Sequence, residues 1–394
     1  MKSPMLKLFG LVAALIAGGE GVARYALGVT PAPLTSDAGL QASLKKFVEF
    51  DPVLGVRYKP NVDVLVDAPS GDFSILFKTN EMGLRDRPLG THLRQELKFL
   101  FLGDEYVEGW GTDIDETPVV TAQRLVNEKT ALKPPVRFVI GGKSGYGAAQ
   151  NRLIAQQLSD AMTIRGIVFV YTSLMPNADR RFLAQATLSD GLASGVDPAV
   201  APTAVSLPHA ADRPPQADNP FRALAPKSAL ARWLADRWAT FAMTRAHPPG
   251  DAARDRLAGL RATASAMDAT LEPSLRHVKA IAAFARERNM PFMLIHLPLA
   301  PQIAHDEWAA GRALFGIAAE PPTAADVAPI EAFCKAENLR CHSLHAFLQQ
   351  AAAAPDGLPL HHRTEFGLTV DGSRLLGTWL GNTMFEWMGE LKLR

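Results

Sequence analysis

The chain has 394 residues, 47% of them hydrophobic and 21% charged, which is enough to bury a large core and excludes a wholly disordered chain. Forty-one basic residues against forty acidic ones leave a net charge of +1, so no basic excess points to nucleic acid as a partner.

At the N-terminus, Lys2 and Lys7 precede an uncharged run from Leu8 to Gly19, and Glu20 and Arg24 then interrupt an apolar stretch reaching about Val29. A membrane span needs roughly 20 apolar residues, and this shorter run has the length of a signal-peptide core, with Ala17-Gly18-Gly19 as a weak cleavage site. An uncleaved signal anchor, a cleaved signal peptide and a buried N-terminal helix are the alternatives, and the anchor is the expectation carried forward. Either export reading puts the body outside the cytoplasm with the lysines on the inner side.

Residues 30–48 read as a polar, Pro-containing tether, and residues 50–96 as a small β-rich preface. Leu97 to Leu102 is an almost unbroken apolar run of strand length, ending in glycine and followed by a helical segment over 116–128. Val136 to Ile140 and Gly166 to Tyr171 are further buried strands, with a helix over 148–162 between them. Seven prolines fall between Pro198 and Pro226, which propagates neither helix nor sheet, so about 183–226 is expected to be a Pro/Ala-rich surface insertion. Leu230, Trp233, Leu234, Trp238 and Phe241 then recur at helical spacing. A helix over 273–288, a strand over 292–297, a helix over 328–337, a short strand over 340–343, a helix over 344–353 and a final helix over 370–391 complete the pattern. Strand and helix alternate, predicting a doubly wound, three-layer, mostly parallel α/β sheet over 97–394, after an anchor or signal over 1–29 and the tether and preface over 30–96. Cys334 and Cys341 flank a helix-to-strand turn and either close a short loop or stay as two separate buried thiols.

Gly103-Asp104-Glu105 sits beyond the carboxyl end of the first buried strand, where open α/β sheets place their sites. The segment resembles the first motif of the SGNH/GDSL hydrolases, with Glu105 in place of the nucleophilic serine. Further segments match that family in order: Asn80-Glu-Met-Gly-Leu-Arg-Asp, Gly141-Gly-Lys-Ser-Gly-Tyr-Gly, and Leu368-Thr-Val-Asp-Gly-Ser-Arg-Leu-Leu. The likeness covers roughly residues 50–394 and is nearest to membrane-anchored members associated with extracellular polysaccharide machinery.

The resemblance implies an esterase fold in which serine attacks an acyl carbonyl, a glycine N–H and an asparagine hold the oxyanion, and an Asp-x-x-His supplies the base. Carried onto this chain, Gly145 falls at the oxyanion glycine and Asn177 is the candidate asparagine, although strict alignment puts Met175 there. Thr364 falls at the aspartate and Gly367 at the histidine. Asp356, His361 and His362 would restore a dyad only if residues 363–367 are an insertion. Glu105 itself plugs the pocket, binds a ligand or attacks directly. Ser144 and Ser173 have no evident histidine beside them. The histidines are dispersed, so no metal site and no cofactor are expected.

The expectation is therefore a catalytically inactive SGNH-like protein, anchored in the inner membrane with a periplasmic domain, or secreted if the signal is cleaved. Its implied role is a binding or scaffold subunit beside a membrane polysaccharide synthase or O-acyltransferase, with glycan as a ligand. The alternative is an active ester hydrolase or O-acyltransferase on acylated glycans, using Glu105, Asp104 or the His361/His362 pair.

Overall fold

The computed structural model describes residues 4–27, 46–68, 72–89, 96–130, 132, 135–199, 219–221, 223–245, 264–303, 308–315, 325–354 and 357–393. Asp356 lies outside them. Five parallel strands form the central sheet: β5 (Leu97–Leu102), β6 (Val136–Ile140), β7 (Gly166–Tyr171), β10 (Phe292–His296) and β11 (Arg340–Ser343). Their spatial order is β6-β5-β7-β10-β11, so the chain runs outward from β5 in both directions. This is a doubly wound sheet, and the reversal of direction at β5 and β7 opens a crevice at their carboxyl ends.

Side chains alternate across each strand, and the two faces bury different cores. Phe99 and Phe101 of β5 and Phe138 and Ile140 of β6 pack with α3 (Pro118–Lys129) and α12 (Val370–Glu390) through Val119, Val126, Leu376, Leu380 and Trp387. Leu100, Leu102 and Val139 face the other way, onto α4 (Ala148–Ala161) and α7 (Ala264–Glu287) through Leu153, Leu158, Val278 and Ile281. Near-continuous apolar strands of this kind are what a sheet covered on both faces requires. Side-chain caps fix helix starts: Thr117 accepts from Val120 N–H before Pro118, and Thr369 accepts from Gly372 N–H.

The preface is two antiparallel hairpins, β1 (Val48–Asp51) with β2 (Gly55–Tyr58) and β3 (Asp63–Asp67) with β4 (Ser74–Lys78). Phe47, Tyr58 and Phe77 form a small core with Trp110, so the preface closes over the loop that follows β5.

The structure corrects the chain reading at several points. A short helix α2 (Glu105–Glu108) begins directly at the motif, and α5 (Met175–Leu183) follows β7 where no element was expected. The segment read as a featureless insertion opens with an antiparallel hairpin, β8 (Ala186–Ser189) and β9 (Leu192–Val196), while residues 200–218 lie outside the described part. The helix expected after residue 226 is α6 (Ala229–Arg245). Between β10 and β11 stand α8 (Ala300–Ile303), α9 (Ala309–Phe315) and α10 (Val327–Ala336), and α11 (His345–Ala352) follows β11.

The N-terminal helix α1 (Pro4–Gly21) exists, but no helix among the described residues is long and apolar enough to cross a membrane. The composition of the helix accounts for this: alanine and glycine dilute its second half, and Glu20 stands near its end. Glu20 accepts hydrogen bonds from Ser228 Oγ (2.6 Å), Ala229 N–H (2.9 Å) and Leu230 N–H (2.9 Å), capping α6 and holding its own carboxyl down at about 2.

Candidate functional site

The motif residues meet at the carboxyl ends of β5, β6 and β7. Asp104 caps α2: one carboxylate oxygen accepts from Tyr106 N–H at 3.2 Å and the other takes the hydroxyl of Thr172, just beyond β7. Asp104 is therefore a clamp between two strand ends. Asn151, in the first turn of α4, fixes the neighbouring backbone. It accepts from Gly103 N–H (2.9 Å) and donates to the carbonyls of Gly103 (3.1 Å) and Gly147 (2.8 Å).

Glu105 opens α2 and is 1% exposed. Its negative charge is answered by Lys143, in the turn after β6, whose ammonium is favoured by Glu108 and then by Glu105. Burial outweighs both carboxylates and brings the lysine down to about 8. Glu108 is fully buried as well, accepting from Tyr58 OH at 2.6 Å and from Ser144 N–H. Burial and Glu108 push the Tyr58 phenol well above its ordinary value. Arg85, also buried, donates to the carbonyls of Glu108 (2.6 Å) and Gly109 (2.7 Å). The region at the nucleophile position is thus a closed ionic network, stitched to the preface by Tyr58 and Arg85.

Gly145 adopts φ +81°, a left-handed turn that side-chain-bearing residues rarely take, so a conformational demand accounts for this glycine. Asn177 lies in the first turn of α5, where its side-chain oxygen accepts from Arg180 Nε (3.2 Å) and Nη2 (2.7 Å). The carbonyl end of the candidate oxyanion amide is committed to that arginine. Thr364 gives both its N–H (2.9 Å) and its hydroxyl (2.7 Å) to Asp72 of the preface, which also pairs with Arg363 at 3.1 Å.

Gly367 is pressed against the loop after α2: a Cβ built on it would lie 2.2 Å from Trp110 O. His361 forms an isolated antiparallel bridge with Leu368, and His362 N–H donates to Gly367 O at 3.1 Å, so residues 362–367 make a loop closed at its base. His361 is 1% exposed, and burial, then His362, depresses it to about 3. Its ring stands edge-on to Tyr106 with centroids 6.2 Å apart. His362 is depressed by burial too, with its ring 5.2 Å from Phe73. Neutral imidazoles of such low basicity are poor bases at neutral pH.

A second polar cluster sits at the carboxyl ends of β7 and β10. Ser173 Oγ donates to Asp326 Oδ2, His296 Nε2 lies 3.0 Å from the same oxygen, and Gln302 Nε2 donates to Oδ1 at 2.9 Å. Burial opposes ionisation of Asp326, but His296 and Ser173 prevail and its carboxyl is lowered. Ser173 therefore does have a histidine near it, on the last residue of a buried strand, which corrects the chain reading. In sequence the two are more than a hundred residues apart, and only strand adjacency joins them. Both reach the carboxylate and not each other, so the geometry lacks the serine-to-histidine hydrogen bond of an activated nucleophile.

Sequence reasoning missed Glu108, Lys143, Tyr58 and Asn151; the place of Glu108 three residues after the motif's Glu105 and of Asn151 in the first turn of α4 were their only local signal. Cys334, near the end of α10, is bonded to Cys341 of β11 with Cα atoms 6.2 Å apart. Among the described residues no group of three His, Cys, Asp or Glu side chains could hold a metal ion.

No family model matches the chain, and no curated protein matches it. Solved structures that resemble it include an acetyl xylan esterase (10% identity, TM-score 0.36, covering 74% of this chain and 98% of the other). A GDSL-like lipase from Bacteroides thetaiotaomicron shows 11% identity and a TM-score of 0.32 over 73% of this chain and 87% of its own. An aryl esterase of M. smegmatis shows 9% identity and a TM-score of 0.35 over 73% and 98%. At these values the likeness is too slight to transfer chemistry.

Proposed function

We propose that this chain is an SGNH-hydrolase-like protein that has lost ester hydrolysis and acts as a binding or scaffold subunit. The observation that carries the reading is the packing at the three triad positions. Glu105 is buried and acts electrostatically on Lys143, Thr364 is bound to Asp72, and Gly367 leaves no space for a side chain. Loss of one triad member costs on the order of 10⁴-fold in rate, and here nucleophile, orienter and base are all replaced. The fold offers surface and position, with a sealed ionic network where the chemistry would be.

Export belongs to the same proposal. The basic, then apolar N-terminus and the Cys334–Cys341 bond fit an oxidising compartment such as the periplasm. We place the protein there, attached to the inner membrane, beside a polysaccharide synthase or an O-acyltransferase that modifies glycans. The test is hydrolysis of short-chain aryl acetates together with labelling by a fluorophosphonate. Neither turnover nor labelling is expected, and turnover abolished by Glu105→Gln would refute the inactive reading. Recovery of a synthase or acyltransferase with the chain from native membranes tests the partner.

A second reading, ester hydrolysis by an unorthodox set, draws on Ser173, Asp326 and His296. Fluorophosphonate labelling lost in Ser173→Ala but kept in Glu105→Gln would establish it.

A further inference from the structure

A cavity of about 110 Å³ lies between the preface and the β6–α4 connection. Arg57, Arg85 and Lys143 line it, and no carboxylate does among the described residues. The walls opposite are apolar, from Leu54, Leu84, Ile154 and Leu158. Tyr58 and Tyr146 also line it, and the Lys143 ammonium stands 4.5 Å from the first ring centroid and 5.2 Å from the second. The cation is therefore within cation–π reach of two rings of the cavity wall.

Hydrogen-bonding capacity is left over at this place. A lysine ammonium has three donors. Among the described residues Lys143 has one acceptor, Ser144 O at 3.3 Å. Arg85 is 1% exposed, and its Nε–H has no acceptor among the described residues. Glu108 acts on both cations through space and Glu105 on Lys143, but neither fills these donors, so unspent buried donors beside an empty volume leave a place for a further acceptor. The volume is close to that of about four water molecules. That suits a headgroup with a short alkyl tail against the apolar walls.

We infer that this cavity is a binding site for a short-chain monocarboxylate, with the carboxylate on Lys143 and Arg85 and the alkyl chain against Leu84 and Ile154. Arg57, 47% exposed at the side chain and paired to Glu49 at 2.7 Å, is the cation nearest solvent and marks the entrance. Lys143 also interacts with Glu105, so the site adjoins the nucleophile position, but butyrate binding is read separately from ester hydrolysis and stands whether or not the chain hydrolyses esters.

Lys143 also gives the site a pH signature. The groups facing it are Glu105 and Glu108 on α2, Tyr58 on β2, Tyr146 in its own turn, and the two arginines. Both phenols are pushed well above their ordinary value, and burial brings Lys143 down to about 8, so its charge is lost near that pH.

The experiment is calorimetric titration of the full-length protein with sodium butyrate at neutral pH. Saturable binding is expected with a Kd on the order of 1 mM, as befits a ligand of few atoms. Acetate should bind more weakly and butylammonium not at all, and affinity should fall as pH rises through about 8. Lys143→Met should weaken butyrate about tenfold or more, equivalent to about 1.4 kcal/mol. Leu84→Phe, which fills the cavity and keeps every charge, should abolish binding and decides the matter if Lys143→Met does not fold. Absence of saturation, unchanged affinity in Leu84→Phe, or inorganic phosphate binding as tightly as butyrate would overturn the assignment.

Discussion

A Cβ on Gly367 would lie 2.2 Å from the carbonyl oxygen of Trp110. The carbonyl belongs to the loop after α2, which is pinned by Arg85 through Gly109 and Thr112 and covered by Phe73 and Phe77. Neither side of the contact is free to retreat. Gly367 therefore makes a backbone-to-backbone contact with no room for a side chain.

Gly367→Ala should destabilise the protein by about 3 kcal/mol, because overpacking against fixed backbone forces main-chain displacement. Urea unfolding of the variant beside the unchanged protein reads the difference. A loss below about 1 kcal/mol would show that the loop over 362–367 yields easily, which such contacts seldom do.

Glu105→Ser should leave ester hydrolysis at the background rate. The new hydroxyl would face no base, since Thr364 is held by Asp72 and Gly367 has no side chain. Lys143 would also lose one of its two carboxylate neighbours. Hydrolysis of an aryl acetate is the readout, and a rise of about a thousandfold over the unchanged protein would put a working base at His361 or His362, contrary to their burial.

Acid should unfold this protein through its buried histidines. His361 is held near 3 in the folded chain by burial, against 6.5 when unfolded. The unfolded state therefore binds the extra proton first. The stability that neutral His361 contributes is complete above about pH 6.5 and is lost as pH falls toward 3, at about 1.4 kcal/mol per pH unit. His277, depressed to about 4 mainly by burial, adds to the loss over the upper part of that range. Urea midpoints between about pH 7 and about pH 4.5 should fall less steeply in His361→Phe, which keeps a ring against Tyr106 without a titrating nitrogen. An identical slope in the variant would assign the acid sensitivity elsewhere.

Replacing both Cys334 and Cys341 by serine should cost about 2 kcal/mol, the loop-closure entropy for a separation of seven residues. The cost should disappear when the unchanged protein is measured under reducing conditions. Equal stability of the two proteins without reductant would mean that the bond contributes nothing to folding.

The sheet was legible because its signal is local. Leu97–Leu102 and Val136–Ile140 are apolar runs broken only by Lys98 and Arg137, Gly166–Tyr171 is unbroken, and burial on both faces requires no alternation that a neighbouring strand must complete. The hairpin over 186–196 was not legible: its strands carry Ser189, Ser194 and Gly195, and only Ala193 and the strand's last two residues are buried. The short helix α5 was hidden by Pro176, which reads as a stop but serves as a first-turn residue.

Residue order alone determined that an acidic side chain follows Gly103-Asp104 and that threonine and glycine stand in the last motif. It also determined that apolar strands alternate with helices, because periodicity and turn chemistry act over a few residues. Only the tertiary structure decided what Glu105 does. It is buried beside Lys143 from the turn after β6, while Tyr58 and Arg85, from a preface dozens of residues earlier, hold the neighbouring Glu108 and Gly109, and Trp110 closes against Gly367. Those contacts form when distant segments exclude water together, and no local pattern encodes them.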